Sequence, residues 1–293
     1  MLTTKSGKNV SKICIGTWTI NKENFNTEVD ALKYYYSNGI NFIDVVLAYD
    51  NGKVIDVITE FLKTVKREDI FINAFITYGC NTIVDIKKQI DFYLEKLNTD
   101  YLDCVTLHGL DAIGVSLEEY SKEIIRLKKI KNFNYIGYSN LNPDQLNNLK
   151  TSIDLFEGMY NLECKQNEDN QILEICKNNN IPFFCYQPLR RNKTSKQNYP
   201  LLVELSKKYK KTQNQLILNW LIKHKNLFVL IKSSNKNHIA ENVQALDFDM
   251  ETKDYLQLDN FRNPEFDKLL VCYTNEQGKI RIDQIPNQPI GII

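Results

Sequence analysis

Residues 39–76, GINFIDVVLAYDNGKVIDVITEFLKTVKREDIFINAFI, hold one complete unit of the fold. The run INFIDVV (40–46) is short, apolar and β-branched, which predicts a strand. Over 53–64, Val54, Ile58, Phe61 and Leu62 recur on one helical face. DIFINAFI (69–76) is then a second strand. Strand, helix, strand in that order makes a parallel pair joined by a right-handed crossover.

The alternation continues in both directions. Upstream, KICIG (12–16) reads as a strand and 26–38 as a helix. Downstream, Ile86, Ile90, Tyr93, Leu94 and Leu97 follow the helical period over 83–97, and YLDCVTLH (101–108) is a strand. Ser116 and Glu119 form a capping box that opens a helix to about 130. FNYIGYS (133–139) is a strand, and Asn142, Pro143 and Gln145 cap the next helix. IDLFEGM (153–159) is a strand, 168–178 a helix and IPFFCYQ (181–187) a strand. Thr212 and Gln215 cap a helix running through Trp220 and Leu221, followed by the strand LFVLIK (227–232) and a helix over 237–246. Eight strands, each followed by a helix over about 240 residues, predict a closed (β/α)8 TIM barrel. The alternative is an open doubly wound sheet, but no G-x-G-x-x-G follows the first strand.

The 293 residues (34.3 kDa) then divide into a barrel over 1–265 and a C-terminal extension over 266–293. In the extension, KLLVCYT and KIRIDQI flank NEQG as two strands around a turn, and PNQPIGII ends extended. Both a tail across the catalytic face and a tail packed elsewhere remain open. A composition of 43% hydrophobic and 25% charged residues excludes disordered, collagen-like and disulfide-scaffold classes. Lys+Arg number 37 against 36 Asp+Glu, a formal net charge of +1, which points to neither a nucleic-acid nor a membrane partner. There is no apolar run long enough to span a bilayer and no signal-peptide core in MLTTKSGKNVSKICIG, so the cytoplasm is expected. Seven Cys without a CxxC pair read as reduced, buried thiols. None of the three His stands at zinc spacing from a Cys, so no metal is expected.

A barrel of this kind places its chemistry at the C-terminal ends of its strands. Standing there are Asp44 with Tyr49 just beyond, Phe75, His108, Ser139 and Asn140, Glu157, Tyr186, and Lys232 with Ser233. Polar and aromatic groups thus recur on one rim, from strands far apart in sequence.

GINFIDVVLAY followed by NG, YLDCVTLH, IGYSN, FFCYQPL and LIKSSNKNHIAENVQALDFDM together resemble the aldo-keto reductase family, in family order, over residues 8–260. The resemblance implies reduction of aldehydes and ketones by NADPH, or NADH, on a small-molecule substrate. It implies that Tyr49 is the general acid, that His108 orients the carbonyl and that Asp44 sits behind the Tyr. Ser139 and Asn140 are implied to hold the nicotinamide carboxamide, and Tyr186 to stack on the ring. Lys232 and Ser233 would meet the adenosine phosphate end, and Glu241 and Asn242 the adenine. A carbonyl receiving hydride becomes an alkoxide, so it needs a proton and nearby donors. A Tyr and a neutral His supply both.

The chain departs from the pattern at the site itself. Phe75 occupies the position of the family's catalytic Lys, whose cation lowers the pKa of the neighbouring Tyr by about 1–3 units. Without it Asp44 loses its expected partner and should be protonated, solvated or re-partnered. Glu157 replaces a Gln that binds the carboxamide, and an ionised carboxylate cannot donate. His238 replaces an Arg for the 2′-phosphate. These departures leave three functions: an NAD(P)(H)-dependent oxidoreductase with an incomplete tetrad, a repurposed member catalysing elimination or isomerisation, and a non-catalytic binding or regulatory protein.

Overall fold

A computed structural model describes residues 2–77, 79–110, 113–149 and 151–264, and the backbone of two short strands beyond them. Eight parallel strands close into a barrel in chain order: β1 Ile13–Ile15, β2 Phe42–Val46, β3 Phe71–Ile76, β4 Leu102–Leu107, β5 Phe133–Ser139, β6 Leu155–Met159, β7 Phe183–Tyr186 and β8 Leu227–Ile231. The closing pair sets Ile13 opposite Val229 and Ile15 opposite Ile231. Around it run α1 Phe25–Ser37, α2 Val54–Leu62, α3 Ile83–Lys96, α4 Leu117–Ile130, α5 Pro143–Asn147, α6 Gln166–Asp169, α7 Ile172–Asn178, α8 Lys193–Lys196, α9 Pro200–Tyr209, α10 Gln213–Lys223, α11 Lys236–Val243 and α12 Thr252–Asn260. This is the (β/α)8 TIM barrel that the alternating pattern predicts.

The capping boxes at Ser116/Glu119, Asn142/Gln145 and Thr212/Gln215 all form, each side chain closing on the other residue's backbone N–H. The helix expected over 168–178 is broken in two. Gln171 stands between α6 and α7 in the left-handed region at φ 65°, which no continuous helix accommodates. Helices α9 and α12 were not anticipated. Among the described residues no helix is long and apolar enough to cross a membrane.

Burial separates two cores. One lies between barrel and helices and takes the outward residues of each strand, such as Ile43, Val45, Ile72 and Ala74. The other fills the barrel. Its floor is a run of stacked rings, Phe228 on Phe184 on Phe42 on Phe71 on Tyr135, with centroids 4.7, 4.6, 5.1 and 5.5 Å apart. Such pairs contribute about 0.5–1.5 kcal/mol each beyond their buried area. Leu2 and Val10, on a short N-terminal turn bridged at Thr3 and Asn9, pack against this floor from outside the strands. Six cysteines, Cys14, Cys80, Cys104, Cys164, Cys176 and Cys185, are buried free thiols.

Beyond residue 264, β9 Val271–Thr274 and β10 Ile280–Ile282 pair antiparallel, with Ile280 opposite Thr274. The expected extended end PNQPIGII lies outside the described residues.

Candidate active site

Strand alternation decides what the barrel interior presents. On β2, Phe42 and Asp44 point inward while Ile43 and Val45 point to the helices. Asp44 is thereby held 4% exposed in the middle layer, above the aromatic floor. Asp44 is not left alone there. Asn73 on β3, its register partner, donates from Nδ2 to Asp44 Oδ1 at 2.9 Å. Thr106 on β4 donates from Oγ1 to Asn73 Oδ1 at 2.6 Å, fixing the amide's orientation. Gly137 on β5 makes room for this chain, since a Cβ there would stand 2.1 Å from Thr106 Oγ1.

The second neighbour of Asp44 is Glu157 on β6, a buried carboxyl that acts on it electrostatically. Glu157 Oε2 is buried and meets no protein donor. Two buried carboxyls that act on each other without a cation favour the protonated form. Burial pushes Asp44 up to about 7, against the pull of Asn73 and Glu157. Burial, and then repulsion from Asp44, pushes Glu157 up as well. Of the three outcomes expected for Asp44, the structure shows re-partnering, by Asn73.

Above this layer is the rim. β2 runs through Leu47 into a single 3-10 turn, Tyr49–Gly52, which sets Tyr49 half-buried at the mouth. Tyr93 of α3 steadies that turn from behind: its hydroxyl accepts from Leu47 N at 2.8 Å and donates to Phe75 O at 2.8 Å. The Phe75 ring is 1% exposed and meets His108 edge-on, centroids 5.9 Å apart. Burial alone pushes His108 down to about 4, so the imidazole is neutral near pH 7. Asn140, just past β5 at φ 58°, donates from Nδ2 to His108 O at 3.2 Å and accepts from the Tyr186 hydroxyl at 2.8 Å. Its backbone N–H donates to Glu157 O at 3.1 Å, and Ser139 lies opposite Glu157 in register. His108, Asn140, Tyr186, Ser139 and Glu157 therefore form one connected wall.

The β8 end is organised differently. Lys232 Nζ pairs with Glu28 Oε1 of α1 at 2.7 Å, and Ser234 donates to the same oxygen at 2.9 Å. Glu28 is 3% exposed, so this is a buried ion pair. Ser233 N donates to the Tyr35 hydroxyl at 2.8 Å, tying β8 to α1 again. On α11, His238 is exposed, Glu241 accepts from Thr212 Oγ1 at 2.6 Å, and Asn242 is buried. These residues form a second group, on the β8–α1–α11 side. Across the mouth, Arg191 after β7 stacks on the exposed Trp18 after β1, 3.7 Å from its ring centroid. Among the described residues no cluster of His, Cys, Asp and Glu is arranged to hold a metal.

Sequence reading did not find Asn73, Thr106 or Glu28. Asn73 was legible in principle as a lone polar residue inside an apolar strand. Glu28 carried no signal, being one acid in an amphipathic helix.

The Aldo/keto reductase family profile matches residues 12–263, and the chain belongs to this family. Aldose reductase C of Dictyostelium discoideum is 27% identical over 275 residues, covering 85% of this chain and 85% of that protein. An uncharacterized oxidoreductase of Bacillus subtilis, YtbE, is 25% identical over 235 residues, 79% of this chain and 82% of its own. Among solved structures, an aldo/keto reductase from Klebsiella pneumoniae in complex with NADP and acetate superposes with a TM-score of 0.79 at 22% identity, covering 88% of this chain and 93% of that one. A thermostable aldo-keto reductase bound to the inhibitor epalrestat gives 0.80 at 24% identity, over 89% and 98%. At these identities the structural likeness is one of fold.

Proposed function

We propose that the chain is a nicotinamide-dependent oxidoreductase that interconverts a carbonyl and an alcohol on a small molecule. The observation that carries this reading is the wall at the mouth: a Tyr on the rim and a buried neutral imidazole, beside a fixed amide and a half-buried Tyr186 ring. When bound, the cofactor supplies or removes hydride. Tyr49 donates its phenolic proton to the carbonyl oxygen, and His108, neutral by burial, offers a hydrogen bond without adding charge. Asn140 is committed to His108 O and to Tyr186, so it positions these two groups, leaving Ser139 and Glu157 to meet the carboxamide. The orphan oxygen Glu157 Oε2 supports this assignment, since a buried polar atom without a protein donor needs a partner.

The adenosine end favours NADPH weakly. Lys232 spends its charge on Glu28, and His238 is a poorer phosphate partner than an Arg. NADPH is the proposed cofactor, with NADH accepted.

Fluorescence titration with NADPH and NADH is the first test, and saturable binding is expected. NADPH consumption matched to alcohol formation from small aldehydes is the second. Tyr49→Phe should lower kcat by about 10²–10⁴-fold with cofactor affinity unchanged. No turnover on a broad carbonyl panel despite binding would shift the weight to elimination or isomerisation. An unbound cofactor would leave a regulatory protein.

A further inference from the structure

The loop after β7 carries Arg190, Arg191, Asn192 and Lys193, three cations in four residues. Their charges are used differently. Arg190 is 2% exposed and is paired with Glu163, Nη1 to Oε2 at 2.6 Å. Glu163 is buried too, and it also accepts from Thr194 Oγ1 and from the Tyr199 hydroxyl, each at 2.6 Å. This hub pins the base of the loop. Arg190, Arg191 and Asn192 then run left-handed at φ 46°, 54° and 63°, a backbone that side chains rarely adopt and that persists where its surroundings fix it. Arg191 lies outside the hub. Its guanidinium rests on Trp18 after β1, 3.7 Å from the ring centroid, and Trp18 is 40% exposed. Among the described residues Arg191 makes no hydrogen bond and no ion pair. Lys232, the cation at the end of β8 between these two loops, is by contrast paired with Glu28.

A guanidinium stacked on an indole spends its face and keeps its N–H donors in the plane. Trp18 therefore orients the fork without consuming it. A planar fork with free donors matches a carboxylate, which it binds through two parallel N–H···O bonds. The loops after β1 and β7 stand on the rim that also carries Tyr49 and His108. Resting on the reading of that rim as a reductase site, we propose that Arg191, oriented by Trp18, recognises a carboxylate on the substrate. The substrates are then aldehydes or ketones that also bear an acid group. His108 is neutral and meets the carbonyl end without charge, so the charge preference resides in the loop after β7. Arg191 is the specificity-determining residue, and Trp18 is a positioning residue.

The test compares acids with their neutral methyl esters on the full chain at pH 7: 4-carboxybenzaldehyde with methyl 4-formylbenzoate, and succinic semialdehyde with methyl 4-oxobutanoate. Steady-state reduction by NADPH and calorimetric binding are both measured. In at least one pair the acid should have a KM lower than its ester by about tenfold or more, with the same preference in calorimetric affinity. Arg191→Gln should erase the difference between acid and ester through the KM of the acid rather than kcat. Arg191→Lys should restore it in part, because a point charge lacks the fork. Trp18→Ala should weaken it in part, through a less oriented Arg191. The cofactor's phosphates are the competing anion, so NADPH affinity is titrated in each variant. Loss of NADPH affinity in Arg191→Gln, with acid and ester affected alike, would assign Arg191 to the cofactor and overturn the inference. So would wild-type chain that treats acid and ester equally in both pairs, or a preference that survives Arg191→Gln. Those outcomes leave the reductase reading standing. Acid binding that depends on Arg191 without turnover of any aldehyde would uphold the carboxylate site and overturn the reductase reading instead.

Discussion

At position 75 a buried phenyl ring stands where we propose that the family carries its catalytic cation. Asn73, two residues back on the same strand face, supplies the hydrogen bond that an ammonium would otherwise have given Asp44. A Lys at 75 would meet a carboxyl pair already poised to lose its proton, which lowers the cost of burying the new charge. Phe75→Lys is therefore expected to fold, to ionise the pair, and to raise kcat/KM for aldehyde reduction by about tenfold or more through a more acidic Tyr49. A steady-state assay on one aldehyde decides this, and an unchanged rate would mean that the Lys is not what limits the site. At Glu28 the argument runs the other way. Removing its charge with Glu28→Gln frees Lys232 for the cofactor phosphate, so the NADPH-over-NADH affinity ratio should rise by about tenfold, or ~1.4 kcal/mol. Paired binding titrations measure that ratio directly.

At the level of elements, the site depends on strands approaching closely on their inner face. Gly137 on β5 is the tightest such point. Gly137→Ala should force Thr106 off Asn73 and cost about 1–3 kcal/mol, read as a lower denaturation midpoint. Adding Thr106→Ala should recover part of the loss by vacating the clash. This layer also marks where sequence reading stops. The barrel was legible because alternation at period 2 and period 3.6 is a local signal, as in INFIDVV and in the 53–64 face. The reading of Phe75 at the Lys position, which stands as a proposal, is local too, because it rests on one residue type at one position. The electrostatic tie between Asp44 and Glu157 was not legible, because β2 and β6 are not neighbours and no spacing links them. The break at Gln171 was missed because 168–178 keeps its apolar period across a residue whose backbone turns left-handed. The β8–α1 tie was hidden for the same reason as the acid pair: Glu28 and Lys232 lie 204 residues apart.

At the scale of the molecule, the buried acids and the buried imidazole give stability opposite dependences on pH. The carboxyl pair is raised in the folded state, so its contribution is fully present below the unfolded carboxylate range and is lost as pH rises through the folded value, about 7 for Asp44. His108 is lowered to about 4, so its contribution is present above the unfolded value of about 6.5 and is lost as pH falls toward 4. The two oppose each other between about 4 and 6.5, and above that only the acid pair still acts. The melting temperature should therefore fall between pH 6.5 and 8, and the double variant Asp44→Asn/Glu157→Gln should flatten that fall. A wild-type profile already flat over this range would contradict the buried pair. The aromatic floor adds a constraint of its own. Four phenyl rings and Tyr135, backed by Leu2 and Val10, close the N-terminal end of the barrel, so water reaches the acid pair from the mouth. The interior is a vessel with one opening, and whatever occupies the opening is its stopper. A ligand seated there stands between the buried acids and bulk water, so their exchange of protons with solvent runs past that ligand.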